Sequence, residues 1–182
     1  MIYLISDTHF GHDKDFIYKP RGYKNIYDHD KDLIKKWNSI VQHEDEIYHL
    51  GDVMLGDNDY GCSCLKQLKG QIHIIRGNHD TDSRIKLYED CFNVVDVQEG
   101  KYFKYHKYHF FLSHYPALTS NYDDDKPLKA KMINLCGHTH TDNHFADIDK
   151  GLIYHCDVDS SNGYPIPLDN IILEIKNKIG EK

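Results

Sequence analysis

The sequence predicts an α/β fold in which two β-sheets pack together with helices outside. Two observations carry that expectation. Up to about residue 90, short apolar runs alternate with helix-spaced segments, as in strand–helix–strand units. Beyond it the chain turns mainly to short strands with tight turns. A length of 182 residues fits one domain, 1–182, able to bury roughly two-thirds of its unfolded surface. Linkers, internal repeats and low-complexity segments are not seen.

Ile2 to Ser6 reads as a buried strand, and Phe10 to Asp28 as a polar loop carrying His12 and Arg21. Asp28 or Asp30 can cap a helix to about Val41, with Leu33, Ile34, Trp37, Ile40 and Val41 on its apolar face. Trp37 is expected to be core. Glu46 to Leu50 is the second strand, Asp57 to Gly61 a turn-rich loop, and Cys62 to Lys69 a short helix closed by Gly70. Gln71 to Arg76 is the third strand and Asp82 to Asp90 another helix. Asn93 to Val97, Lys101 to Tyr105 and Tyr108 to Ser113 form an antiparallel pattern. Alternation of Tyr102, Phe103, Tyr105, Tyr108, Phe110 and Phe111 makes one core face and one exposed face. Tyr122 to Lys131 is a charged loop whose Asp123, Asp124 and Asp125 are solvated. Met132 to Cys136, Ile153 to Asp157 and Ile171 to Ile175 complete the strands.

The net charge of −7 argues against a sequence-independent nucleic-acid binder, which needs a basic face. A nucleic-acid substrate is therefore the less favoured partner, although bound cations would alter the local field. The five cysteines are odd in number and form no C-x-x-C pair, against a disulfide framework or thiolate zinc site. Met1 runs straight into a strand without a signal-peptide pattern, and no apolar run approaches the ~18 residues of a membrane span. A cytoplasmic protein with no membrane partner is expected.

The chemistry lies at the strand ends. Asp7-Thr8-His9 follows Ile2 to Ile5, Gly51-Asp52 follows the second strand, and Gly77-Asn78-His79-Asp80 follows Ile72 to Ile75. Ser113-His114 follows Phe110 to Leu112, and Gly137-His138-Thr139-His140 follows Met132 to Cys136. Loops beyond the carboxyl ends of strands are where open α/β sheets place their sites. Residues two apart, such as Asp7 and His9 or His138 and His140, point to one side of an extended segment. Mixed carboxylate and imidazole donors suit manganese, iron or zinc. Glycines 51, 77 and 137 allow sharp turns and close backbone approach to an ion. A lone Asp-x-His is more often surface or a satisfied core pair, but five such ends together point to a metal site.

Asp7-x-His9, Gly51-Asp52, Gly77-Asn78-His79-Asp80, Ser113-His114 and Gly137-His138-x-His140 resemble, in order, the motif series of the calcineurin-like metallophosphoesterases. Ser6 through His12 and Trp37-Asn38 are similar to a branch of small bacterial and phage phosphoesterases. The resemblance implies a four-layer sandwich of two mixed β-sheets flanked by helices. It implies two divalent ions, manganese foremost, with iron, zinc, nickel or cobalt as alternatives. One would be held by Asp7, His9, Asp52 and His140, the other by Asp52, Asn78, His114 and His138. His79 would contact the phosphate and protonate the leaving group, and Asp80 would orient His79. The implied activity is hydrolysis of a phosphate-ester small molecule or nucleotide-like substrate, as a phosphodiesterase or phosphomonoesterase. A non-catalytic scaffold of the same fold and a nuclease are the alternatives. His12 and Arg21 are candidate substrate contacts, since their loop starts beside the site and arginine suits phosphate. His155 and Asp157 read as a strand end with turn chemistry, and His106, His109 and His144 as surface or structural residues.

Overall fold

Side-chain alternation along the first strands decides what each face of the first sheet meets. In the computed structural model, which describes residues 1–181, β1 (Ile2–Ile5), β2 (Glu46–His49), β3 (Gln71–Ile75), β4 (Val94–Gln98) and β9 (Ile166–Pro167) form a sheet of order β4-β3-β2-β1-β9. Only β9 runs antiparallel to its neighbour. Tyr3, Ile5, Ile47, Ile72 and Ile74 pack on one side against three helices. These are α2 (Ile26–Ile40) through Leu33 and Trp37, α3 (Asn58–Leu65) through Cys62 and Leu65, and α4 (Asp82–Glu89) through Tyr88. Leu4, Tyr48 and Ile75 point the other way, toward the second sheet.

That second sheet has the order β5-β6-β7-β8, from β5 (Lys101–Tyr105), β6 (Tyr108–Leu112), β7 (Met132–Cys136) and β8 (Ile153–His155). β5 and β6 form an antiparallel hairpin, whereas β6, β7 and β8 are parallel. Phe110, Leu112, Ile133, Leu135 and Tyr154 complete the inter-sheet core, and α5 (Leu168–Ile179) adds Leu168, Ile171, Ile172 and Ile175 to it. The expected α/β architecture of two packed mixed sheets with helices is thus observed. The aromatic run divides as its alternation requires: Phe103 and Tyr105 join this core, while Tyr102 remains exposed.

Several local expectations are corrected. Ile171 to Ile175 is not a strand but the middle of α5. Its spacing of i, i+3, i+4 and i+7 from Leu168 outweighs the strand preference of its isoleucines. β4 pairs parallel with β3 and takes no part in the antiparallel hairpin of β5 and β6, with α4 as the crossover between β3 and β4. α2 starts earlier than Asp28, because the Asn25 side chain accepts from Asp28 N at 2.9 Å and caps it. The stretch expected as a turn-rich loop begins α3, capped by Asp57. The polar loop after β1 contains a one-turn helix, α1 (Asp15–Tyr18), and the charged loop contains a 3₁₀ turn, Leu128–Ala130.

The parallel strands of both sheets bring their carboxyl ends to one rim, and there the sheets are stitched together. Ser6 N donates to Cys156 O at 3.0 Å, and Val158 N donates to Ser6 O at 3.1 Å. All five cysteines are free and buried. Among the described residues, no helix is long and apolar enough to cross a membrane.

His49 on β2 is wholly buried. The Thr8 hydroxyl donates to Val53 O at 2.8 Å, so His49 Nε2, 2.9 Å away, is the donor to Thr8 Oγ1. Burial pulls its pKa from 6.5 down to about 4. The unfolded chain takes up a proton in that window that the folded chain refuses, so the contribution of His49 to stability is greatest above pH 6.5 and falls toward pH 4. His49 supplies up to about 3 kcal/mol of this dependence. Urea denaturation at pH 7 and 4.5 should show a flatter stability profile for His49→Gln, whereas an unchanged profile would assign the dependence to other groups.

Candidate metal centre

The side chains that converge at the rim stand on unusual backbone. Asp7 (φ 59°), His9 (49°), Asp52 (56°), His138 (74°) and His140 (50°) all lie in the left-handed region. Asp and His tolerate it better than most residues, and such outliers cluster at functional sites. A ladder of hydrogen bonds fixes the first three: Asp7 N to Gly51 O at 3.0 Å, His9 N to Asp52 O at 3.1 Å and Phe10 N to Val53 O at 2.9 Å. The rim also demands close approach. A Cβ on Gly77 would lie 2.3 Å from Asp52 Oδ1, and one on Gly137 would lie 2.4 Å from Asp7 Oδ2. Neither Gly77 nor Gly137 has positive φ, so both are there for packing against carboxylates rather than for turning. Gly51 does turn, at φ 96°.

Two groups of donors result. Asp7 Oδ1, His9 Nε2 and His140 Nε2 face one another, with His9 and His140 3.1 Å apart and Asp7 3.9 and 3.8 Å from them. Beside them, His114 Nε2 lies 2.9 Å from Asn78 Oδ1 and 3.2 Å from His138 Nδ1. Asp52 Oδ2 sits between the groups, 3.7 Å from His9 Nε2 and 3.6 Å from His114 Nε2. Its other oxygen is engaged, accepting from His79 N at 2.9 Å.

The lone pairs of these atoms are directed inward. His114 Nδ1 donates to Leu50 O at 2.8 Å, which leaves Nε2 bare toward the Asn78 oxygen. A cation bound by both atoms would satisfy two acceptors at that separation. His140 Nδ1 lies 3.1 Å from both Asp159 Oδ2 and Arg21 Nη2, while its Nε2 faces His9 and Asp7. Asp7 Oδ1 is buried without a partner. Burial first, then Asp157, pushes the Asp7 carboxyl well up. Burial, then His140 and Arg21, holds His9 well down, and burial with His114 lowers His138. His9 and His138 are thereby held neutral, the form in which imidazole binds metal. Donor type, orphaned oxygen and neutral imidazoles all fit a divalent cation.

A second layer holds these groups. Asp80, expected to orient His79, does not contact that ring. Its carboxylate accepts from Asp52 N and Gly77 N, both at 2.8 Å, and from the Tyr88 hydroxyl at 2.7 Å. Asp80 therefore clamps the β2 and β3 tips together, a correction that follows from its full burial. Arg21 is equally committed: it donates to both oxygens of Asp159 at 2.8 Å and to Asp7 O at 3.0 Å. Asp157 is buried below the rim, where it accepts from His140 N at 2.9 Å. Asp159 was not singled out in the sequence. Its signal was present, since Asp157-Val158-Asp159 repeats the two-residue spacing of the other rim motifs.

His79 and His12 face the open side. The His79 ring, 40% exposed, has Nε2 3.9 Å from Asp52 Oδ2, and its carbonyl accepts from Arg84 at 2.6 Å. His12 is half-buried, with its ring centroid 5.3 Å from that of His9. Burial, then His79, lowers its pKa to about 4.

A two-sheet α/β fold whose strand ends gather carboxylate, amide and imidazole donors has the architecture of a metallophosphoesterase domain. The chain belongs to the calcineurin-like phosphoesterase superfamily, whose domain model matches residues 1–154. It is 38% identical over 126 residues to the uncharacterized protein MJ1445 of Methanocaldococcus jannaschii, covering 67% of this chain and 64% of that protein. It is also similar to the gene 66 protein of Mycobacterium phage L5, at 24% identity with 76% and 77% of the two chains covered. The protein of unknown function AQ665 from Aquifex aeolicus shares the fold, with a TM-score of 0.73, 23% identity and coverage of 96% and 98%.

Gly77→Ala and Gly137→Ala test the close packing of the rim. Each is expected to cost about 1–3 kcal/mol by urea denaturation, because the new methyl must displace a buried carboxylate. Unchanged stability in both would mean that the tips can separate freely.

Proposed function

We propose that the chain, acting as one domain over residues 1–182, is a dinuclear-metal hydrolase of small or nucleotide-like phosphate esters. One ion is assigned to Asp7, His9, Asp52 and His140 and the other to Asp52, Asn78, His114 and His138. The observation that carries this reading is the position of Asp52 Oδ2 between His9 and His114, at 3.7 and 3.6 Å. Manganese is the first choice, and iron, zinc, nickel and cobalt suit the same mixed oxygen and nitrogen donors.

Divalent ions at these positions supply Lewis acidity to the phosphoryl oxygens and lower the pKa of an attacking water. The protein's own part is orientation and proton delivery. Leu50 O sets the tautomer of His114, Asp159 and Arg21 hold the His140 ring in place, and Asp80 holds the Asp52 loop against β3. His79, on the open side and with its backbone tied by Asp52 and Arg84, meets the phosphate and gives a proton to the departing alkoxide. A complete donor set together with a free His79 supports catalysis over a scaffold role. The five buried free thiols accord with a reducing cytoplasm.

Metal-stripped protein supplied separately with manganese, zinc, nickel or magnesium should hydrolyse bis(p-nitrophenyl) phosphate or p-nitrophenyl phosphate. His79→Ala should lose roughly 10²–10⁴-fold in turnover while keeping its metal. Full activity in His79→Ala would remove it from the chemistry, and no turnover with any ion bound would contradict the hydrolase assignment.

A further inference from the structure

The cleft in front of the centre has two unlike walls. His9, His79 and His140 form one, and Phe16, Ile17 and Pro20 the other, around a volume of about 400 Å³. Phe16, on α1, is 69% exposed. Its ring meets His12 at 90° with centroids 5.6 Å apart, a perpendicular contact that steadies the phenyl and leaves most of it uncovered. His12 is itself anchored, because its N donates to His9 O at 3.0 Å and its ring centroid lies 6.2 Å from that of His79. Phe16 thus stands one side chain away from the group assigned to proton delivery. The cleft is poor in available positive charge. Among the described residues that line it, Arg21 is the one guanidinium or ammonium group. Asp159 and Asp7 O already occupy that guanidinium.

We infer that the ester group leaving from His79's side carries a flat, uncharged ring, aryl or nucleobase, that stacks on Phe16. The inference rests on the phosphoesterase reading and adds the substrate class to it. Stacking on an exposed aromatic tolerates many rings, because each offers a π-face, so the preference is for aromaticity rather than for one compound. A leaving group bearing further phosphates finds no uncommitted cation in this cleft and is disfavoured.

Titration calorimetry of the manganese-loaded protein with phenylphosphonate and methylphosphonate, which are not hydrolysed, separates ring from phosphoryl recognition. The wild type should bind phenylphosphonate about tenfold more tightly. Phe16→Ala should abolish that ratio with methylphosphonate affinity unchanged, and Phe16→Tyr should restore it. An unchanged ratio in Phe16→Ala would overturn the stacking role alone. Failure of both phosphonates to bind the loaded wild type would overturn the phosphoesterase reading and the inference together.

Discussion

The centre depends on forcing bulky polar residues into left-handed backbone at the tips of parallel strands. Asp7, His9, Asp52, His138 and His140 each accept a conformation that costs of order 1–3 kcal/mol away from glycine. Hydrogen bonds from the strained segments hold it in place. Asp7 N and His9 N bond the β2 tip, His138 N donates to Asp7 Oδ2 at 2.9 Å, and His140 N donates to Asp157 at 2.9 Å. The bond from His138 to Asp7 crosses between the sheets, so the sandwich and the centre support each other. Removing either sheet would leave half of the donors without a backbone to fix them.

Electrostatics follows from that geometry. Asp7, Asp52 and Asp157 are buried together, and Asp157 adds to the burial that raises Asp7. His9 and His138, held neutral, do not offset this cluster of carboxylates, so a cation is what the arrangement stabilises. Arg21 does not fill that role. Asp159 holds it at the edge of the cleft, where their pairing, with the hydrogen bond from His140, outweighs the effect of burial and keeps the Asp159 carboxyl well below its usual range.

Much of this was legible in the sequence. Apolar runs ending in Asp, Asn or His located the rim's donor residues, because a strand's carboxyl end and its first loop residues are read together. Alternation gave the two faces of the sheets. The features that escaped did so for physical reasons. The isoleucines of α5 suit strands, and only their three- and four-residue spacing showed a helix. Asp80 adjoins His79 in sequence, yet its carboxylate is turned into the core toward Tyr88, a direction that adjacency does not encode. Asp159 and Arg21 are far apart in the chain, and their pairing depends on how the loop after β1 folds across the end of β8. Phe16 looked like one more loop residue until α1 set it beside the cleft.

Metal stoichiometry tests the central claim most directly. Manganese titrated into metal-free protein, with bound ions counted by equilibrium dialysis and elemental analysis, should give two per chain in the wild type. Asp52→Ala should lose affinity at both positions, since its carboxylate is assigned to both ions. Two ions bound with unchanged affinity in Asp52→Ala would contradict the shared ligand on which the proposed dinuclear centre rests.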